Sequence, residues 1–541
     1  MSTAANGADG AGLLTRERII AGPGFNRWLV PPAALAIHLC IGMAYGFSVF
    51  WLPMGKLLPG APACPADFIA QLTTTRCNWT LPAVNHIFET FIVVLGLSAA
   101  LFGGWLERAG PRRAGLIAAL CWGGGLILGG YGVAIHQLWI AYLGCGLIGG
   151  IGQGLGYITP VSTLIRWFPD RRGLATGFAI MGYGGGAMIG APITVKLMHH
   201  FSAGGVPGVA AALMMIGTLY VLVMSAGAFG FRIAPTGWRP QGFDASPTHA
   251  KPLVTSSHVH VDEALKTPQF WLIWLVLFAN VTAGIAVISV ASPMLQDVFG
   301  SHLLGVAGGA TLSAAQKAAI AAAAAGLVGL ISLFNSLGRL FWASTSDFIG
   351  RRYTYFTFFI LGIVLYCALP SFGQIGIPAL FVATICIIIS MYGGGFATLP
   401  AYLADVFGTQ MVGAIHGRLI TAWSAAGLVG PMLIASLRQS QLAAGVPRAL
   451  VYNRTLYIMA GLLLFGLVCN ALVRPVDAKH AMTDDQLALL RRQKHEAPDE
   501  ARAARAARGG FGIAGIVAWA LVGIPFLIGL TIALQKAAAL L

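Results

Sequence analysis

Thirteen apolar stretches, each long enough to cross a bilayer, constrain this chain more than any other feature. They cover roughly 29–52, 82–106, 114–136, 138–165, 173–198, 209–231, 269–293, 317–345, 354–372, 376–403, 412–437, 451–473 and 511–535. A hydrocarbon core needs about 20 such residues per helix, and every backbone polar group inside it must be satisfied internally. Charged residues form only 9% of the 541 residues, against about 25% in soluble domains. The 71 glycines suit closely packed helices better than the alternating strands of a barrel. A soluble enzyme, a disordered chain and a coiled coil are excluded. The expectation is an all-α polytopic membrane protein whose surroundings are the lipid bilayer.

A net charge of +15 would point to nucleic acid in a soluble protein. Here the basic residues lie between the apolar runs, without interleaved aromatics, so no nucleic-acid partner is expected. Arg108, Arg112 and Arg113 follow run two, and Arg166, Arg171 and Arg172 follow run four. Arg232, Arg239, Lys251 and Lys266 follow run six, and Arg351 and Arg352 follow run eight. Lys and Arg gather in cytoplasmic loops, which places the N-terminus and every even-numbered exit inside. The segment 474–508, with eight Lys/Arg, also falls inside. A thirteenth crossing then leaves the C-terminus outside. Arg438, Arg448 and Arg454 go against this pattern, because they follow run eleven on the outer side. Met1 to Arg27 has no apolar core with a cleavage site, so no cleavable signal peptide is expected.

The longest interior break, Arg232–Thr267, is polar and divides runs one to six from runs seven to twelve. Thr267-Pro268 reads as an N-cap followed by Pro at the first helical position. The expected organisation has six parts: a cytoplasmic segment 1–28, a six-helix bundle 29–231, a cytoplasmic loop 232–268, a second six-helix bundle 269–473, a basic cytoplasmic segment 474–510, and an extra transmembrane helix in 511–541. That last helix, near 511–535, is a candidate surface for a partner or a second copy. The halves echo each other. Glu107-Arg108-Ala-Gly110-Pro-Arg112-Arg113 follows run two, and Asp347-Phe-Ile-Gly350-Arg351-Arg352 follows run eight. Acid, two residues, glycine and then a basic pair recur at the same place in each half. Such a repeat can latch the halves, the acid pairing with a neighbouring helix end or an arginine. Plain charge anchoring at the membrane surface is the other reading. Two six-helix repeats with a site between them form a transporter architecture.

Both loops resemble the signature loop of the major facilitator superfamily, with Glu107 in place of the usual Asp and Pro111 where a basic residue is common. Arg166-Trp-Phe-Pro-Asp170-Arg-Arg-Gly173-Leu-Ala-Thr-Gly177 and Gly182-Tyr-Gly-Gly-Gly186 resemble the oxalate–formate antiporter family. So do Leu265-Lys-Thr-Pro-Gln-Phe-Trp271 and Phe334-Asn335-Ser-Leu-Gly-Arg339-Leu-Phe-Trp342. The resemblance spans roughly residues 28–473. It implies two six-helix bundles around a small-carboxylate site and no cofactor.

Arg339 lies in run eight, eight residues before Asp347, on the order of 12 Å inside the boundary. An unpaired charge there costs several kcal/mol. A guanidinium stays protonated and matches a carboxylate. The resemblance implies that this position binds the anionic substrate, whereas a structural arginine would pair with a helix end or snorkel toward Asp347. The family's oxalate-specific members have a Lys in run eleven, where alignment on His416-Gly417 puts Trp423. A single Arg neutralises a monoanion but leaves oxalate at net −1, so charge balance favours a monocarboxylate such as formate, lactate or pyruvate. Arg418 is the candidate second cation, although it is off the Trp423 face and within reach of the cytoplasm. The resemblance further implies that Tyr45, Tyr157, Tyr392 and Phe396 line the site, where rings can enclose a planar anion and exclude water. Taken singly, each is a packing residue.

Other polar residues in apolar runs are His38, Gln153, Asn280 and Asn335, together with His86 and Glu89. The last two are spaced i, i+3 and form a candidate proton-coupling pair, or a local pair at the outer end of run two. Gly146, Gly150 and Gly154, like Gly186 and Gly190, have the spacing for close helix packing. Cys64 and Cys77 share the loop after run one, where an oxidising compartment would join them and a reducing one would not. The remaining six cysteines sit in apolar stretches as small packing residues. No metal-ligand spacing, nucleophile elbow or phosphate loop occurs, so neither an enzyme nor a metal or cofactor is expected. The expected function is secondary, alternating-access transport of small organic carboxylates across a bacterial inner membrane, by oxalate/formate-type antiport or proton symport. A carboxylate sensor with transporter-like helices is the alternative.

Overall fold

The computed structural model describes residues 12–22, 24–65, 67–202, 207–235, 238–240, 253–255, 257–299, 313–493 and 512–538. Lys251, the basic stretch 494–511, and the first eleven residues lie outside these ranges. Among the described residues there is no β-strand, only three isolated bridges, and thirteen helices are long and apolar enough to span a membrane. The first six are α1 (Arg27–Gly46), α2 (Leu81–Ala109), α3 (Pro111–Ala134), α4 (Leu138–Trp167), α5 (Arg172–Phe201) and α6 (Gly208–Gly230). The next six are α7 (Pro268–Phe299), α8 (Leu327–Ile349), α9 (Arg351–Ile375), α10 (Pro378–Phe407), α11 (Val412–Ala443) and α12 (Arg448–Leu472). The last is α13 (Gly512–Gln535).

Local chemistry sets the boundaries. α8 is the apolar part of a longer helix that starts at Ala314, where Ser313 and Gln316 form a reciprocal capping box. Thr267 accepts from the Phe270 amide at 3.4 Å just before Pro268 opens α7. The recurring loop glycines, Gly110 and Gly350, have φ of 84° and 92°. An L side chain is strained there, so glycine permits the tight α2–α3 and α8–α9 turns.

α5 packs along α8, and α2 along α11; these are the principal seams between the halves. Glycines make both seams close. A Cβ on Gly173 would overlap the Ala343 carbonyl, and one on Gly417 would overlap that of Ala99. α13 lies over the α5–α8 seam rather than apart from the bundle. Trp519 Nε1 donates to the Trp28 carbonyl at 3.0 Å, and its ring meets Phe178 of α5 at 5.8 Å. Phe526 sits beside Gly185 of α5, close to Ser336 of α8. The other side of α13, with Ile513, Ile516 and Leu521, is exposed.

At the face opposite the arginine-rich loops, Cys64 and Cys77 are joined by a disulfide. Arg438, one of the basic residues that break the charge pattern, donates to Asp297 at 2.7 Å, and Tyr452 donates to the same oxygen at 2.8 Å. Its charge is matched within the second half, which accounts for a cation on that face.

Candidate functional site: a buried guanidinium in an aromatic box

Arg339 is fully buried, with 0% of its surface exposed. Its guanidinium donates to Asn335 Oδ1 at 3.1 Å, one turn earlier in α8, to the Ile180 carbonyl at 3.2 Å, and to the Tyr45 hydroxyl at 3.3 Å. All three are neutral oxygens. Among the described residues no carboxylate reaches it. Burying a cation costs several kcal/mol after relaxation, and three neutral acceptors offset only part of that. Aromatic faces supply more: Arg339 Cζ lies 5.4 Å from the Phe396 ring centre, 5.6 Å from Tyr183 and 6.0 Å from Tyr45.

The box is closed from both halves. Tyr45 of α1 and Tyr392 of α10 share a hydroxyl–hydroxyl hydrogen bond of 2.9 Å. Phe396 packs on Trp423 of α11 at 4.9 Å, and Trp423 meets Tyr183 of α5 and Tyr157 of α4, each at 5.4 Å. The sequence-expected set Tyr45, Tyr157, Tyr392, Phe396 and Trp423 therefore converges on Arg339. Tyr183, in the Gly-rich stretch of α5, joins it. A Cβ on Gly184 would lie 3.0 Å from Arg339 Nε, so glycine there lets α5 carry Tyr183 against the guanidinium. His38 reinforces the first half: its two ring nitrogens lie 2.5 Å and 3.1 Å from the Ala179 and Tyr157 carbonyl oxygens. The hydroxyl of Tyr157, Nε1 of Trp423 and both ring nitrogens of His416 are buried without a hydrogen-bond partner among the described residues.

Beneath the box, at the arginine-rich face, two related contacts join the halves. Glu107, at the end of α2, accepts from the Gly413 amide at 3.0 Å at the start of α11, and pairs with Arg166. Asp347, at the end of α8, accepts from the Gly173 and Leu174 amides, both at 2.9 Å, at the start of α5. In each half the repeated acid thus caps a helix N-terminus of the other half, where free N–H groups and the helix dipole favour negative charge. Arg351 holds Asp347 at 2.5 Å and Asp405 at 3.3 Å, and Arg172 crosses from α5 to Asp405 at 3.0 Å.

The other sequence-expected residues lie apart from these sites. Arg108 is exposed and takes no part in either contact. Arg112 donates to the Leu13 and Phe229 carbonyls, within the first half. Arg352 donates to the Ala471 carbonyl at 2.5 Å, within the second. Arg112 and Arg352 each anchor their own bundle, because a neighbouring helix end of the same half supplies free carbonyls. Arg418 donates to Ala414, one turn back in its own helix, at 3.3 Å, and is not brought to Arg339. His86 and Glu89 pair at 2.6 Å with both side chains about half exposed, near the start of α2, away from the box. Arg166, Arg172, Asp405, Tyr183 and His416 were not singled out for these positions. Their only sequence signal was membership of motifs or, for Asp405, an acid at the end of an apolar run.

Comparison with known proteins agrees with this architecture. A family model described as Major Facilitator Superfamily matches residues 34–332 and 311–539. The chain is 28% identical to the oxalate:formate antiporter of Oxalobacter formigenes, over 66% of this chain and 76% of that protein. It is 25% identical to apicoplast pyruvate carrier 1 of Toxoplasma gondii, over 72% of this chain and 80% of that protein. Among solved structures, a bacterial homologue of the iron transporter ferroportin, in an outward-facing state, superposes with a TM-score of 0.56 at 13% identity, covering 83% of this chain and 99% of that one. The proton:xylose symporter XylE does so with a TM-score of 0.54 at 13% identity, over 86% and 99%. At these identities the structural likeness is one of fold.

Proposed function

The chain belongs to the major facilitator superfamily, and from that premise we propose that it carries small organic carboxylates across a bacterial inner membrane by alternating access. The observation that carries this reading is the guanidinium of Arg339, fully buried and bonded only to neutral oxygens. A carboxylate supplies the missing charge and matches the planar fork. The surrounding rings exclude water, which strengthens that pairing. One arginine balances one negative charge, so a monocarboxylate such as formate, lactate or pyruvate is the favoured cargo over oxalate. Relatives named for oxalate, formate and pyruvate support the substrate class. The arginine-rich face is assigned to the cytoplasm on the positive-inside rule. The latches of Glu107 and Asp347 are then the inner gate, shut in this conformation. Exchange of one anion for another, or symport with a proton, would drive the cycle.

Counterflow in proteoliposomes tests this reading with labelled pyruvate, lactate, formate and oxalate, comparing the parent with Arg339→Gln. Removing one member of a buried charge pair costs about 2–5 kcal/mol. Exchange by the variant should therefore fall at least about 30-fold. Equal exchange by Arg339→Gln would remove the role given to Arg339. Strong oxalate exchange by the parent would remove the monoanion preference.

A further inference from the structure

Four of the unpartnered polar atoms of the site lie in one cluster that runs from the level of the box toward the latches. They are the Tyr157 hydroxyl, Trp423 Nε1 and the two ring nitrogens of His416. Tyr157 ties the cluster together, with its ring 5.4 Å from Trp423 and 5.8 Å from His416. The His416 side chain is 1% exposed. Along α11, His416 is three residues past Gly413, where Glu107 docks, so it stands only about 5 Å from the gate. Trp423 is seven residues further, about 10 Å deeper, at the level of the box. The cluster therefore joins α4 of the first half to α11 of the second, between the level of the box and the latches.

Each part of the cluster can donate a hydrogen bond. The indole donates only, and the hydroxyl and a neutral imidazole can each present a donor. Leaving such groups buried and unpaired costs free energy in the closed state, and an anion reaching them would remove that cost. The carboxylates nearby are already engaged. Glu107 is held by Gly413 and Arg166, and Asp405 by Arg172 and Arg351. The other ionisable side chains facing the cluster include Tyr183, whose ring meets Tyr157 and Trp423, His38, whose nitrogens face carbonyls, and Arg339 itself.

Resting on the carboxylate-carrier reading, we propose that His416, with Tyr157 and Trp423, forms a second carboxylate station on the gate side of Arg339. The anion occupies it between leaving the guanidinium and reaching the arginine-rich face. The station binds through neutral donors, more weakly than the arginine, so it passes the substrate on rather than trapping it. It also serves as the first contact for an anion entering from that face.

Pyruvate KM measured from each face, in membrane vesicles of the two orientations, tests this directly. Loss of a hydrogen bond to a charged group corresponds to about tenfold or more in affinity. With His416→Phe, the ratio of the KM at the arginine-rich face to the KM at the opposite face should rise about tenfold. His416→Gln, which restores a donor, should return the ratio most of the way to the parent value. A ratio unchanged in His416→Phe would overturn the station, as would a defect that Gln does not relieve. If the parent moves no carboxylate from either face, the carrier reading itself fails. If the parent transports pyruvate and the ratio ignores His416, only the station fails.

Discussion

Asp347→Asn isolates the proposed latch at the α5–α8 seam. Asp347 accepts two backbone N–H groups of α5 at 2.9 Å each, and its side chain is 13% exposed. Asparagine keeps the shape but offers one acceptor oxygen; its amide group cannot accept from the second N–H. Arg351 retains Ser346 and Asp405 as partners, so its share of the loss is small. The main cost is one charge-assisted hydrogen bond, about 1.5–3 kcal/mol. A shift of about 2 kcal/mol changes the ratio of closed to open gate about 30-fold. Starting from an open population of about 1%, the variant would hold roughly a quarter of its molecules open. Spin labels at Arg108, exposed at the end of α2, and at Tyr353, 66% exposed in α9, report the separation of the halves by pulsed EPR. The six free cysteines are first replaced. The parent should give one short distance, and Asp347→Asn should add a longer one. A variant distribution identical to the parent's would refute the latch.

Gly173→Ala places a methyl against the Ala343 carbonyl in the same seam, whereas Gly104 has nothing within 4 Å of an added Cβ. Overpacking costs about 1–3 kcal/mol, so exchange flux in Gly173→Ala should fall about tenfold while Gly104→Ala matches the parent. Replacing Cys64 and Cys77 by serine opens a link between residues 13 apart. A loop of that size is worth about 3 kcal/mol, and detergent-solubilised protein should melt several degrees lower, as should the parent after reduction. Phe526→Ala removes the ring that seats α13 beside Gly185. Differential scanning fluorimetry should show a loss of about 1–3 kcal/mol, and a melting temperature equal to the parent's would show that α13 contributes nothing to the seam.

The helix count was legible in the sequence because the hydrocarbon requirement is local: about 20 apolar residues must follow one another, and they do so thirteen times. The paired loops were legible for a related reason, since Gly110 and Gly350 occupy backbone conformations that need glycine wherever the rest of the chain lies. Arg339 stood out because a cation inside an apolar run is costly in any fold. Other assignments depend on which helix ends face each other, and no local pattern encodes that. Six loop residues looked alike, yet Glu107, Asp347 and Arg351 join the contacts between the halves while Arg112 and Arg352 tie down their own halves. Tyr183 reaches Arg339 only because α5 crosses α8 at Gly184. His416 gains meaning only from lying between Tyr157 and the gate. α13 could be recognised as a membrane helix, but not as the cover of the α5–α8 seam. Hydropathy and backbone strain act over a few neighbouring residues, so the sequence alone determined the spans, the turns and the stranded charge. Gates and binding boxes arise where residues hundreds of positions apart meet, and only the tertiary packing decided those.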